Sequence, residues 1–214
     1  MNMNNYKIIQ TKELKTCLNE KNLLDDIRKD AILKKIPIID EALGRILEVI
    51  CFLKKPRNVL EIGCGVGYSS YFIIKELKAY SYTGIDLNKS RLKTAERLIK
   101  SIFPGIKCAF LAGNAVKIIP NLEMKFDMVF IDAAKYEYPF YIKKLMDRMN
   151  TGAIIIADNI LYKGKIFKKN ISKHDYNSVA GIREYIKIIT DANLFETNFL
   201  RIGDGVSISI FKGS

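Results

Sequence analysis

Short apolar runs bounded by turn residues alternate along this chain with longer stretches whose apolar positions recur every three or four residues. The runs are Asn58 to Ile62, Tyr82 to Ile85, Ile106 to Leu111, Phe126 to Ile131 and Ala153 to Ala157. Between them, helical spacing covers Ser69 to Leu77, Lys89 to Ile102, Ala115 to Ile119 and Tyr138 to Met149. A further helix, about Ser178 to Thr190, precedes two final strands, Thr197 to Ile202 and Val206 to Phe211. The alternation predicts an α/β fold, with seven strands in a mostly parallel sheet and helices on both faces. Gly203-Asp204-Gly205 leaves room only for a short turn, so the last strand is expected to run antiparallel to its neighbour. Upstream, the spacings Leu23, Leu24, Ile27 and Ile46, Leu47, Ile50 predict helices from about residue 10 to 53. Pro37 interrupts them, with a new helix starting near Ile38. Residues 1–53 thus read as a helical cap and 54–214 as the core of a single domain.

The first strand runs into glycines: Val59-Leu60-Glu61-Ile62-Gly63-Cys64-Gly65-Val66-Gly67, with Tyr68-Ser69-Ser70 opening the next helix. Glycine permits positive φ and close approach to a ligand, and a helix N-terminus favours an anion. A dinucleotide fingerprint would place its third glycine at position 68. Tyr68 stands there and Gly67 comes one place early, giving Gly-x-Gly-x-Gly. Asp86 ends the second strand, placed to accept hydrogen bonds from both hydroxyls of a ribose. Gly113-Asn114-Ala115 follows the third, where an adenine edge would lie, and in such sheets these loops share the carboxyl rim.

Asp132-Ala133-Ala134-Lys135 and Asp158-Asn159, after strands four and five, belong to that same rim. Two carboxylates and an amide carbonyl are hard oxygen ligands, which suit Mg²⁺ or a similar cation and not zinc. A cation holding two neighbouring oxygens of an acceptor lowers the pKa of a hydroxyl, and Lys135 stands by to take its proton. Tyr138 and Tyr141 follow at three-residue steps and read as packing side chains.

Composition adds exclusions. The 214 residues are 49% hydrophobic and 27% charged, an ordinary globule. The N-terminal residues hold no apolar run resembling a signal peptide, and no apolar run is long enough to span a bilayer. Cys17, Cys51, Cys64 and Cys108 are widely spaced, which indicates neither a disulfide framework nor zinc, and a reducing cytoplasm is expected. The net charge of +12 is spread evenly, except that Lys163, Lys165, Lys168, Lys169 and Lys173 crowd one stretch after Asp158-Asn159. That stretch reads either as a solvated loop or as a rim that grips the phosphates of a nucleic acid. His174, the sole histidine, reads as a solvated loop residue.

From about Ile36 to Phe211 the chain resembles the metal-dependent class I O-methyltransferases that use S-adenosylmethionine (SAM), among them catechol and caffeoyl-CoA O-methyltransferases. The matching stretches are VLEIGCGVGYSS, FIDAAKYEYPFY, IIIADNILYKGKI and LRIGDGVSISI. The resemblance implies a Rossmann-like core in which Glu61, Gly63 and Gly65 shape the SAM pocket and Ser69 holds the methionyl carboxylate. It implies that Asp86 binds the ribose, that Asn114 and Ala115 flank the adenine, and that Asp132 receives the SAM amino group. Many relatives carry aspartate at the position of Asn114, whose amide oxygen can still accept from the adenine amino group. Asp132, Asp158 and Asn159 would hold Mg²⁺, Lys135 would be the general base, and the assembly would be a homodimer.

Within the family, Ile36-Pro37-Ile38-Ile39-Asp40, the Asp-Ala-Ala-Lys box and Asn159-Ile160-Leu161-Tyr162-Lys163-Gly164 are most similar to bacterial tRNA 5-hydroxyuridine methyltransferases. The implied acceptor is the wobble 5-hydroxyuridine of a tRNA anticodon loop, giving 5-methoxyuridine. A small catechol or caffeoyl-type vicinal diphenol is the alternative. A non-catalytic RNA-binding module is disfavoured, because Asp132, Lys135, Asp158 and Asn159 are all present.

Overall fold

The computed structural model of the protein describes residues 24–77 and 81–213. The chain divides into two compact units, Met1–Ile38 and Ile39–Ser214. In the first, the described residues form a helix over 24–33 (α1). The helical expectation for residues 10–23 lies outside the described residues. The second unit begins with α2 (Glu41–Lys54), three residues later than Pro37 alone suggested, because the Asp40 carboxylate caps it by accepting the Ala42 N–H at 2.8 Å. The sequence reading drew its internal boundary after residue 53, whereas α2 lies in the larger unit. It packs there on the next helix through Gly44, where an added Cβ would meet the Phe72 ring at 2.6 Å.

The strands are β1 (Asn58–Ile62), β2 (Ser81–Asp86), β3 (Lys107–Ala112), β4 (Phe126–Ile131), β5 (Met149–Ala157), β6 (Phe195–Leu200) and β7 (Val206–Phe211). They form one sheet in the order β3-β2-β1-β4-β5-β7-β6, parallel except for β7, which pairs antiparallel with both β5 and β6. The expected short turn at Gly203–Gly205 is what reverses it. The helices are α3 (Tyr68–Lys75), α4 (Lys89–Ile102), α5 (Ala115–Ile118), α6 (Tyr138–Leu145) and α7 (Lys173–Ile189). Apolar side chains of β1, β4 and β5 are buried, with Tyr138, Tyr141 and Tyr185 among the largest side chains packed against them. Among the described residues no helix is long and apolar enough to cross a membrane.

Several boundaries differ from expectation. α6 stops at Leu145, a 3₁₀ turn follows, and β5 starts at Met149 because that residue pairs with Phe126 across an irregularity in the ladder. α7 begins at Lys173, five residues early, where the Ser172 hydroxyl accepts the Asp175 N–H at 3.2 Å. β6 ends at Leu200, two residues before the expected Ile202.

Candidate active site

Sheet register assembles the site. Ile85, Ile62, Ile131 and Ala157 are direct neighbours across β2, β1, β4 and β5. The residues one place further on, Asp86, Gly63, Asp132 and Asp158, therefore line a single rim. Backbone bonds continue the ladder past the strand ends: Gly63 N–H donates to Ile85 O, Asp132 N–H to Ile62 O and Asp158 N–H to Ile131 O, at 2.8, 2.9 and 3.0 Å. The order reverses between β1 and β4, the topological switch point at which open α/β sheets bind ligands.

The glycine turn is shaped for close approach. Gly63 has φ +93°, and a Cβ there would lie 2.0 Å from the Asp132 carbonyl oxygen, so only glycine fits between the two loops. The Gly65 N–H donates to Asp86 Oδ2 at 2.8 Å, and the Asn88 N–H donates to Asp86 Oδ1 at 2.7 Å. Asp86 thus braces the glycine loop from the end of β2, with both carboxylate oxygens accepting backbone N–H groups. Glu61 is fully buried and accepts from the hydroxyls of Ser69, Ser70 and Tyr82. Burial pushes its carboxyl above the usual range, against the pull of those donors. The Ser69 hydroxyl therefore faces inward, and holding a methionyl carboxylate would require it to leave Glu61.

Asn114, read in the sequence as flanking the adenine, is engaged within the protein at both ends of its amide. Its side-chain oxygen caps α5 by accepting the Val116 N–H at 2.8 Å, and its amide donates to Glu137 at 2.7 Å. Glu137, which the sequence reading passed over, also accepts from Tyr141 Oη at 2.5 Å. Tyr141 and Ala115 are buried, so Tyr141 packs as expected and Ala115 closes the first turn of α5.

At the other end of the rim, Lys135 Nζ donates to Asp132 Oδ1 and to Tyr138 Oη, both at 2.9 Å. Tyr138 is buried and donates onward to the Asp158 carbonyl at 3.1 Å. It packs as expected, and it also ties Lys135 to β5. Asp158 is 5% exposed, and its Oδ1 accepts the Asn159 N–H at 2.6 Å. Burial first, then the charge of Asp132, pushes the Asp158 carboxyl up to about 6. A cation relieves a buried carboxylate raised in this way by a charged neighbour. Asn159, in the left-handed region at φ +56°, lines a cavity of about 440 Å³ with Lys135, Tyr162, Lys163, Gly203 and Asp204. Among the described residues no three His, Cys, Asp or Glu side chains gather as a metal cluster. A cation here would take two carboxylates and the Asn159 amide, and that all-oxygen set fits a hard ion.

The lysine stretch is more ordered than a solvated loop. Lys165 pairs with Asp175 at 2.7 Å, Tyr162 Oη donates to the same carboxylate at 3.2 Å, and Arg183 donates to the carbonyls of Ile166 and Lys168 at 2.9 and 2.7 Å. Lys165 is thereby committed, Lys163 borders the cavity, and Lys168 and Lys169 are exposed. Lys173 and His174 sit on the first turn of α7 rather than in the loop, with the His174 side chain 92% exposed. Cys51, Cys64 and Cys108 are free thiols, and Cys17 lies outside the described residues.

The sequence model of one family, described as O-methyltransferase, matches residues 14–211. Catechol O-methyltransferase of Niastella koreensis is 26% identical over 179 residues, covering 79% of this chain and 80% of that protein. Caffeoyl-CoA O-methyltransferase of Medicago sativa is 26% identical over 186 residues, covering 77% and 71%. In fold, the chain superposes on the O-methyltransferase TomG from Streptomyces achromogenes, solved in complex with SAM. That match has a TM-score of 0.79 at 22% identity and covers 89% of each chain.

Proposed function

Because the chain belongs to the O-methyltransferase family, we propose that it transfers the methyl group of SAM to one of two neighbouring acceptor oxygens at a divalent-cation site, with wobble 5-hydroxyuridine of tRNA as the acceptor. It is a SAM-dependent O-methyltransferase of the catechol and caffeoyl-CoA type. The cation, the acceptor and a homodimeric assembly are the added reading. One observation carries it: Asp132, Lys135, Asp158 and Asn159 sit on adjacent strand ends beside a glycine turn that admits no side chain.

SAM supplies the transferable methyl, and a bound Mg²⁺ would supply the positive charge that acidifies the acceptor hydroxyl. Asp132, Asp158 and Asn159 are the residues that would hold the cation. Gly63, Gly65 and Gly67, each at positive φ, let the backbone come close to the cofactor, while Asp86 meets its ribose. Lys135 reaches the cavity from a fixed base, since Asp132 and Tyr138 both hold its ammonium. Once that ammonium has given a proton to solvent, its neutral amine would take the acceptor's proton, and the chain's remaining work is to align nucleophile and methyl.

Two features support tRNA. The 4-oxygen and 5-hydroxyl of hydroxyuridine are adjacent, so one cation spans both, and a wobble base in a single-stranded loop can be splayed into a pocket without melting a duplex. Lys163 at the cavity, with exposed Lys168 and Lys169 beyond it, offers contacts to phosphates. The second reading, a small vicinal diphenol, is favoured by the catechol O-methyltransferase of Niastella koreensis. Incubation with labelled SAM, Mg²⁺ and either hydroxyuridine-containing tRNA or a panel of diphenols separates the two. Label in the tRNA is the expected result. Label confined to a diphenol would replace the acceptor, and label in neither would refute both.

A further inference from the structure

The segment after β5 holds an unusual backbone. Asn159, Tyr162, Lys163 and Gly164 all have positive φ, at 56°, 47°, 55° and 72°. Side chains of L-residues rarely adopt that region, and such conformations persist only where the surroundings over-determine them. The surroundings here are the turn between β6 and β7, more than forty residues away in sequence. Gly205 O accepts the Ile160 N–H at 3.0 Å, and Asp204 O accepts the Leu161 N–H at 2.9 Å. Both carboxylate oxygens of Asp204 accept the Lys163 N–H, at 2.7 and 2.9 Å. Gly205, at φ +82°, is pressed so closely on the segment that an added Cβ would lie 2.4 Å from Leu161 Cγ. The turn therefore grips the segment at three amides, those of Ile160, Leu161 and Lys163, and the one charged grip falls on Lys163, in the left-handed bend.

We infer that Asp204 is a positioning residue: its carboxylate holds the left-handed bend at Tyr162–Lys163, and through it presents the Asn159 amide to the cation and sets Tyr162 and Lys163 as the acceptor wall. Asn159, Tyr162, Lys163 and Asp204 border the same cavity, so a bend that relaxes changes both the ligand set and the wall. Local bonds contribute, with the Tyr162 N–H donating to Asn159 O at 3.2 Å and the Lys165 N–H to Tyr162 O at 3.0 Å, but the carboxylate at Lys163 comes from the distant turn. The inference rests on the cation reading above, and its test separates the two.

The experiment is Mn²⁺ binding to the full chain, followed by electron paramagnetic resonance, alongside hydrogen exchange of the Ile160, Leu161 and Lys163 amides and calorimetry of SAM binding. Outer partners of metal ligands are typically worth roughly 10- to 100-fold in metal affinity. Asp204→Ala is expected to weaken Mn²⁺ by that factor and to speed exchange at Lys163, with SAM affinity kept within about threefold. Asp204→Asn keeps one oxygen acceptor and is expected to slow Lys163 exchange back towards the native rate. Gly205→Ala displaces the same segment from the other side with the carboxylate intact, and it is expected to weaken Mn²⁺ as well. It also serves where the Asp204→Ala chain does not fold. Native Mn²⁺ affinity in Asp204→Ala, or in Gly205→Ala where that chain is the one measured, overturns this inference alone. Absence of Mn²⁺ binding by the unaltered chain overturns the cation reading beneath it.

Discussion

Gly181→Ala is the substitution whose outcome separates local helix preference from the demands of the site. Gly181 lies in the middle of α7, where alanine is the better helix former by about 1 kcal/mol. A Cβ at that point, however, would sit 2.6 Å from Tyr136 Cα and 2.7 Å from Lys135 O. These are backbone atoms of the turn that carries the proposed base, so no side chain can rotate away to make room. Overpacking of this kind costs about 1–3 kcal/mol. The net effect is then a loss of up to about 2 kcal/mol, or up to about 8 °C in Tm for a chain of this size. Relief of the contact moves the Lys135–Glu137 turn by a good part of an ångström, and misplacement by roughly 1 Å can lower turnover by about 10²-fold. Gly63 and Asp86 are untouched, so SAM affinity should stay near native. Thermal unfolding, SAM calorimetry and methyl transfer measure the three quantities. A variant at least as stable as the native chain, with native turnover, would refute the reasoning.

Further outcomes follow from the charges. The raised Asp158 carboxyl binds its proton more tightly in the folded than in the unfolded chain, so in the cation-free protein its contribution to stability is lost as pH rises from about 4 to about 6. Because bound carboxylates must be ionised, the rise in Tm produced by Mg²⁺ should grow from pH 5 to pH 7. An equal rise at both pH values would count against Asp158 as a ligand. Replacing Lys168 and Lys169 together with alanine should reduce the salt slope of tRNA methylation by about two and leave a small diphenol reaction unchanged. An unaltered slope would remove the basic-rim argument. Lys165→Ala is expected to act differently, by freeing Asp175 and loosening the 162–172 segment. Faster proteolysis there is the expected result, and native resistance would show that the pair carries no load.

Much of the rim was legible because its signals are local. β4 and α4 have the bounds their apolar patterns predict, and the parallel register then brings Asp86, Gly63, Asp132 and Asp158 together without further information. What escaped is long-range or polar. The start of α7 was hidden because Lys173 to Asn177 has no apolar period, and only the Ser172 and Asp175 pairing marks it. Glu137 and Glu61 take hydrogen bonds that commit Asn114 and Ser69, and no spacing rule connects those partners. Asp204 stood in a stretch read only for its turn, and its grip on Lys163 spans 41 positions.

The central claim is that a divalent cation activates the acceptor oxygen at Asp132, Asp158 and Asn159. It is tested most directly by methyl transfer from labelled SAM to the identified acceptor after treatment with EDTA, with Mg²⁺ then restored and SAM binding followed in parallel. Transfer should vanish on chelation and return with Mg²⁺, while SAM stays bound throughout. Full transfer in EDTA would contradict the claim.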